Sequence, residues 1–154
     1  MSRESGASNR VPNPRGNYSL LCVDDNTVVT SALGPFDPNQ PTGFSHIGRI
    51  GGDLDAAQGR SAAVQAAKTL LAVLEDHLRS LDTIARVVAL RGYLVTTDDF
   101  ADHASVMNGA SETIIAALGD RGQHSRTTVG VFSLPFGVPI VVELTARLRV
   151  GASG

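Results

Sequence analysis

The most regular pattern in the chain lies between Asp55 and about Arg79. There Val64, Ala67, Leu71, Leu74, Leu78 and Leu81 recur at spacings of three and four. Such spacing returns each side chain to one face of a 3.6-residue turn, so it predicts an amphipathic helix with these residues inward. Asp53 or Asp55 supplies its N-cap and complements the helix dipole. A second stripe, formed by Phe100, Ala104, Met107, Ser111, Ile114 and Leu118, predicts another helix. The run Thr97-Asp98-Asp99 offers this helix a cap and two first-turn acids, and Gly119 stops it.

Elsewhere the pattern is that of strands. Asn17 to Val23 and Thr27 to Leu33 flank Asp24-Asp25-Asn26, which reads as a β-hairpin. The stretch GPFDPNQPTGF from Gly34 to Phe44 is a loop, and a short strand from His46 to Ile50 could follow it. Ile84 to Thr96 is β-rich and long enough for one extended strand. Two more strands, about Thr127 to Leu134 and Ile140 to Val150, are joined by a turn containing Pro135, Gly137 and Pro139. The order β-β-(β)-α-β-α-β-β predicts an α+β fold, with two helices packed on one face of a mixed sheet.

Alternation within the last strands separates their two faces. Ile140, Val142, Leu144, Ala146, Leu148 and Val150 suit the helix-covered side, with Val129 and Val131 of the preceding strand in the same layer. Val141, Glu143, Thr145, Arg147 and Arg149 point the other way, and Arg126, Thr128, Gly130 and Phe132 are expected beside them. A face mixing these types is too apolar to be wholly wet and too polar to be a core. It suits a subunit interface with a polar pocket in it.

Composition narrows the class. The 154 residues are 42% hydrophobic and 18% charged, which fits one globular domain. Residues 1–13 read as a flexible N-terminal arm, 14–150 as a single domain and 151–154 as a tail. The net charge of −2 supplies no basic footprint, so no nucleic-acid partner is expected. No apolar run reaches membrane-spanning length and the polar start is not a secretory signal, so no membrane partner and a cytoplasmic location are expected. The single cysteine, Cys22, excludes an intrachain disulfide and reads as a small buried hydrophobe in the run SLLCV.

Several chemistries are absent from the pattern. GRIGGDLD has glycines before a helix but lacks the P-loop Lys-Ser/Thr pair, and its acids would repel an anion. His46, His77, His103 and His124 show no ligand spacing, so no metal and no other cofactor is expected. What remains is Arg126 in HSRTTVG, with Glu143 across what would be two adjacent antiparallel strands. Arg126 is then a solvated strand end, the partner of Glu143 in an ion pair, or the receptor of an anionic ligand.

The run SRTTVGVFSLPFGVPIVVEL resembles the C-terminal signature of the YjgF/Rid (endoribonuclease L-PSP) family: Arg-Ser/Thr-x-Val, a short strand, Leu-Pro and a final Glu-rich strand. Gly16-Asn17-Tyr18-Ser19 resembles the Gly-Pro-Tyr-Ser segment that opens the family's first strand, and Val29-Thr30-Ser31 its Val-Thr-Ser-Gly strand. Asp99-Phe100 and Val106-Met107-Asn108 resemble the Asp-Phe and Val-Asn of its second helix. GRIGGDLD and MNGASE are more similar to the longer YjgF branch, whose function is largely unassigned.

The resemblance implies a chorismate-mutase-like fold and a homotrimer with a pocket in each intersubunit cleft. It implies a RidA-like deaminase that hydrolyses reactive enamines and imines, such as 2-aminoacrylate, to a 2-oxo acid and ammonia. Carried over, Arg126 anchors the substrate carboxylate, Tyr18 and Ser31 form pocket wall, and Asn108 enters across the interface. Thr128 stands where cysteine is frequent, Ala32-Leu33 replaces Gly-Gln, and Val141 falls where the water-positioning glutamate belongs. Glu143 is the next acid on that strand and the candidate replacement. Alternatives to hydrolysis are cyclisation or tautomerisation of an imine or enamine in a biosynthetic pathway, and a non-catalytic small-molecule-binding trimer.

Overall fold

The computed structural model of the protein describes residues 10–151, so most of the predicted N-terminal arm and of the tail lies outside the described residues. In chain order the elements are β1 (Leu21–Asp24), β2 (Thr27–Thr30), α1 (Ala56–Leu78), β3 (Ile84–Val95), α2 (His103–Leu118), β4 (Ser125–Val131) and β5 (Ile140–Leu148). Short 3-10 turns follow α1 and α2, and a third precedes β5. Among the described residues no helix is long and apolar enough to cross a membrane.

The strands form one five-stranded mixed sheet in the order β1-β2-β5-β3-β4. All neighbours are antiparallel except β3 and β4, which run parallel with α2 as their crossover. This is the α+β arrangement expected, a mixed sheet with two helices, as in the chorismate-mutase-like fold. The β1–β2 hairpin turns at Asp25, whose φ of +53° is the left-handed conformation that an Asp-Asn pair tolerates. The strand pattern of β5 holds residue by residue. Ile140, Val142, Leu144, Ala146 and Leu148 are buried, and the residues between them are not.

Helix α1 begins as its sequence predicts. Asp55 accepts a hydrogen bond from the Gln58 backbone at 2.8 Å, and the Gln58 side chain accepts one from Asp55 N–H at 2.9 Å. The buried face is rotated from the expected stripe, however. Ala62, Ala63, Ala66, Ala67, Leu70, Val73 and Leu74 are buried, whereas Val64 and Leu71 are half-buried. The helix packs against both the sheet and α2, and its alanines admit both at close range. Gly109 of α2 carries that approach: a Cβ there would lie 2.7 Å from the Arg60 carbonyl oxygen.

Other expectations are corrected. Residues 46–50 form no ladder strand; only Ile50 makes isolated bridges, to Leu54 and Thr96. Helix α2 starts at His103, and its cap residue Asp102 makes no capping bond, so Thr97-Asp98-Asp99 stays in the preceding turn. Ala104 is exposed, and Phe100 lies half-buried ahead of the helix. Cys22 is exposed rather than buried, because β1 is an edge strand and Cys22 pairs with Val29 on the uncovered face. Val150 lies beyond the end of β5 and is 92% exposed.

The correction with most consequence concerns β4. Its parallel register sets Arg126 beside Leu90, Thr128 beside Gly92 and Gly130 beside Leu94. Leu90 and Leu94 are fully buried under the helices, so Arg126, Thr128 and Gly130 share the helix side, while Val129 faces away and is 39% exposed. An edge strand has no covered flank to force its apolar residues inward, so hydrophobic alternation there does not fix the phase.

Candidate functional site

The predicted residues fall into three groups. The first surrounds Arg126 at the junction of β4 and α2. Its Nη1 donates to Asn108 Oδ1 at 2.8 Å and to Ser111 Oγ at 3.2 Å, and its Nη2 donates to the Ala104 carbonyl at 3.4 Å. All three acceptors are neutral, and Arg126 has no carboxylate partner among the described residues. A guanidinium carries five N–H donors in a planar fork, so these three bonds leave two without a protein acceptor. Thr128 lies two residues along the same face, and its buried hydroxyl makes no hydrogen bond.

Behind this cation, Ser111 Oγ is 2.9 Å from His124 Nε2, and His124 Nδ1 is 2.6 Å from the Gly122 carbonyl oxygen. The short turn Gly119–Gly122 after α2 folds His124 back against the helix that bears Ser111.

The second group is on the opposite face of the sheet. Glu143 accepts from Arg91 Nε at 2.8 Å and from the Tyr93 hydroxyl at 2.7 Å, and Arg91 also donates to Thr145. Strand β3 lies between β4 and β5, so the expected Arg126–Glu143 adjacency does not occur within the chain. Glu143 pairs instead with the arginine directly opposite it in the β3–β5 register. The Tyr93 phenol is held above its usual range, first by its hydrogen bond to Glu143, then by desolvation and the carboxylate's charge.

The third group lines an apolar cavity of about 130 Å³ between the N-terminal segment and the turn before β5. Tyr18, Ala32, Leu33, Phe136 and Val141 are among its walls, and Arg15 is its one charged residue among the described residues. The Arg15 guanidinium lies 4.5 Å from the Phe136 ring centre and 5.5 Å from that of Phe44. Phe136 has a φ of +62°, a conformation rarely adopted by a residue with a side chain. Ser31 is turned away, its hydroxyl donating to the Ser19 carbonyl at 2.7 Å. No residue of α2 or β4 lines this cavity. With two strand spacings of about 4.8 Å between β4 and β5, one chain does not bring Arg126 to Val141.

The endoribonuclease L-PSP family model matches residues 8–148, nearly the whole chain. This chain belongs to that family, the YjgF/Rid family. Among its relatives, protein TCP17 of Trypanosoma cruzi is 31% identical over 138 residues, covering 88% of this chain and 84% of the relative. The crystal structure of a protein of unknown function from Agrobacterium tumefaciens superposes with a TM-score of 0.82 at 30% identity, over 88% of this chain and 85% of that one. The Escherichia coli YjgF gene product shares the fold, with a TM-score of 0.64 at 22% identity over 93% and 97% of the two chains.

Within this YjgF/Rid frame, sequence pattern missed two features. His124 stood among four histidines without ligand spacing, and Ser111 read only as part of an inward helical stripe. They meet because a glycine-flanked turn reverses the chain between them, which neither residue's own period records. Arg15 lies in the proline-rich start of the chain, where no periodic pattern or motif singles it out. Among the described residues no three His, Cys, Asp or Glu side chains gather as a metal site.

Proposed function

We propose that this family member binds a small carboxylate-bearing imine or enamine at a cleft between two copies of the chain and hydrolyses it to a 2-oxo acid and ammonia. One observation carries the reading. Arg126 presents a guanidinium that only neutral groups hold, at an exposed sheet edge, with donors left for a bidentate carboxylate. Arg91, on the other face of the sheet, is by contrast matched by an acid, Glu143.

The second copy follows from placement. The cavity walled by Tyr18, Leu33 and Val141 and the Arg126–Asn108–Thr128 group lie apart on one chain, so a site containing both needs two chains. The half-exposed Val29 and Val129 on the uncovered face give a second copy apolar area to bury, in keeping with a homotrimer whose sheets face one another. Hydrolysis of a C=N bond needs water and proton transfer but no cofactor.

Two observations favour a second reading, in which the bound imine is tautomerised, cyclised or simply held. Val141 contributes no acid to the cavity, and Glu143 is engaged by Arg91 and Tyr93. Cleavage of RNA, suggested by the family's name, has least support, since the chain carries a net charge of −2.

The test is ammonia release from 2-aminoacrylate generated in situ. Wild type is expected to exceed the buffer blank. Arg126→Ala should raise KM about thirty-fold, the equivalent of losing roughly 2 kcal/mol of charge-assisted carboxylate binding. Wild-type release equal to the blank would refute hydrolysis. Unchanged KM in the variant would refute Arg126 as the anchor.

A further inference from the structure

Carboxylate binding by Arg126 does not account for the two residues behind it. The direction of each hydrogen bond there is fixed by chemistry. The Gly122 carbonyl can only accept, so His124 Nδ1 carries the proton of that 2.6 Å bond. In the neutral imidazole Nε2 is then an acceptor, and the hydroxyl 2.9 Å away must donate to it. Arg126 Nη1 can only donate, so it meets the remaining lone pairs of Ser111 Oγ at 3.2 Å. The result is a hydroxyl whose proton points at an oriented base and whose oxygen touches the anion anchor. No carboxylate takes part in it, and Glu143 is on the other face of the sheet.

We propose that Ser111 and His124 form the proton relay of the Arg126 centre, with Ser111 touching the reacting water and His124 taking up and returning the proton. The proposal rests on the hydrolase reading and supplies the base that Val141 does not. The water oxygen bonds to the imine carbon while the C=N π pair moves to nitrogen. The water proton passes to Ser111 Oγ as the Ser111 proton passes to His124 Nε2. The imidazolium returns its proton through Ser111 to the nitrogen, giving a neutral carbinolamine. The same relay then takes the carbinol O–H proton and delivers it to the amine nitrogen as the C–N bond breaks, giving a 2-oxo acid and ammonia. Nothing is oxidised, and the residues end as they began. Ser111 is the catalytic residue of the pair; His124 acts through it as a positioning residue and proton store.

The charged groups on the surrounding elements leave the relay clear. Glu112 of α2 is ion-paired with Arg60, and Arg121 donates to the Leu81 and Ile84 carbonyls. Asp120 makes no ion pair among the described residues. Arg91 of β3 is on the far face with Glu143, and His103 approaches Thr96 farther along α2. Among the described residues Arg126 is the one charged side chain bonded to the pair.

The experiment is the pH dependence of ammonia release from 2-aminoacrylate by wild type, His124→Gln and Ser111→Ala. Wild-type kcat should rise with pH as the base loses its proton. His124→Gln should lower kcat by about 10²-fold or more, leave KM unchanged and flatten the profile. Active wild type with kcat and pH limb unaltered in His124→Gln overturns the relay and leaves the hydrolase standing. If wild type shows no turnover, the hydrolase reading fails instead, and the relay is judged by NMR titration of the His124 imidazole with 2-oxobutyrate as probe. Saturating 2-oxobutyrate should raise the His124 midpoint in wild type but not in Ser111→Ala, and should leave that of His46 unmoved in both. An unmoved His124 midpoint in wild type overturns the relay.

Discussion

Replacing Gly109 with alanine sets two known effects against each other. Within α2 the added methyl improves intrinsic helix propensity by about 1 kcal/mol. Against this, the new Cβ would sit 2.7 Å from the Arg60 carbonyl oxygen, 3.0 Å from Arg60 Cγ and 3.2 Å from Val64 Cγ2. A carbonyl within α1 cannot swing aside, so the two helices must separate by a few tenths of an ångström. Overpacking of this kind costs about 1–3 kcal/mol. The shift also displaces Asn108 and Ser111, the neighbours of Gly109 on α2, relative to Arg126, whose bonds to them contribute about 1 kcal/mol each. The net expectation is a loss of about 1–2 kcal/mol and a fall in Tm of roughly 3–8 °C, read by thermal denaturation. Gly59→Ala is the comparison, because its Cβ meets the methyl end of Ile50 at 3.0 Å, which can rotate, so its loss should be smaller. A Gly109→Ala protein melting at or above the wild-type temperature would show that propensity outweighs the helix contact, and the reasoning would be wrong.

Other consequences are open to measurement. Asp55→Ala removes the side-chain bond of the capping box, while the Asp55 N–H keeps its bond to Gln58, and should lower unfolding free energy by about 1 kcal/mol in chemical denaturation; no change would mean that the cap is redundant. Glu143→Gln should bring the Tyr93 phenol back down toward its ordinary value of 10.0, seen by ultraviolet titration of phenolate. The sign of the linkage follows from the raised folded value. Tyr93 contributes stability that is fully present below its unfolded pKa and is lost as pH rises through the folded one. The alkaline decline of wild-type stability should therefore be shallower in Glu143→Gln.

Helix α1 was legible because its period extends over six turns and Asp55 and Gln58 stand at the spacing of a capping box. The alternation of β5 was legible because helices cover one of its faces along its whole length. Neither device tells which strands are neighbours. The insertion of β3 between β4 and β5 reassigns Glu143 from Arg126 to Arg91, and alternation within a strand contains no trace of that order. The phase of β4 failed for a related reason, since Val129 on an edge strand can face outward without burial. The Ser111–His124 contact depends on how tightly α2 ends, a matter of one turn's geometry rather than of residue type.

The separation of Arg126 from the Tyr18 cavity has a genetic corollary. If each site draws its cation from one subunit and its wall from the next, chains damaged in different halves complement one another. Mixed refolding of an Arg126→Ala chain with one whose cavity is filled should regenerate intact sites. Under random assembly into closed rings, half the subunits bring a sound arginine and half their neighbours a sound wall, so roughly one site in four recovers. Two alleles inactive alone would then be active together.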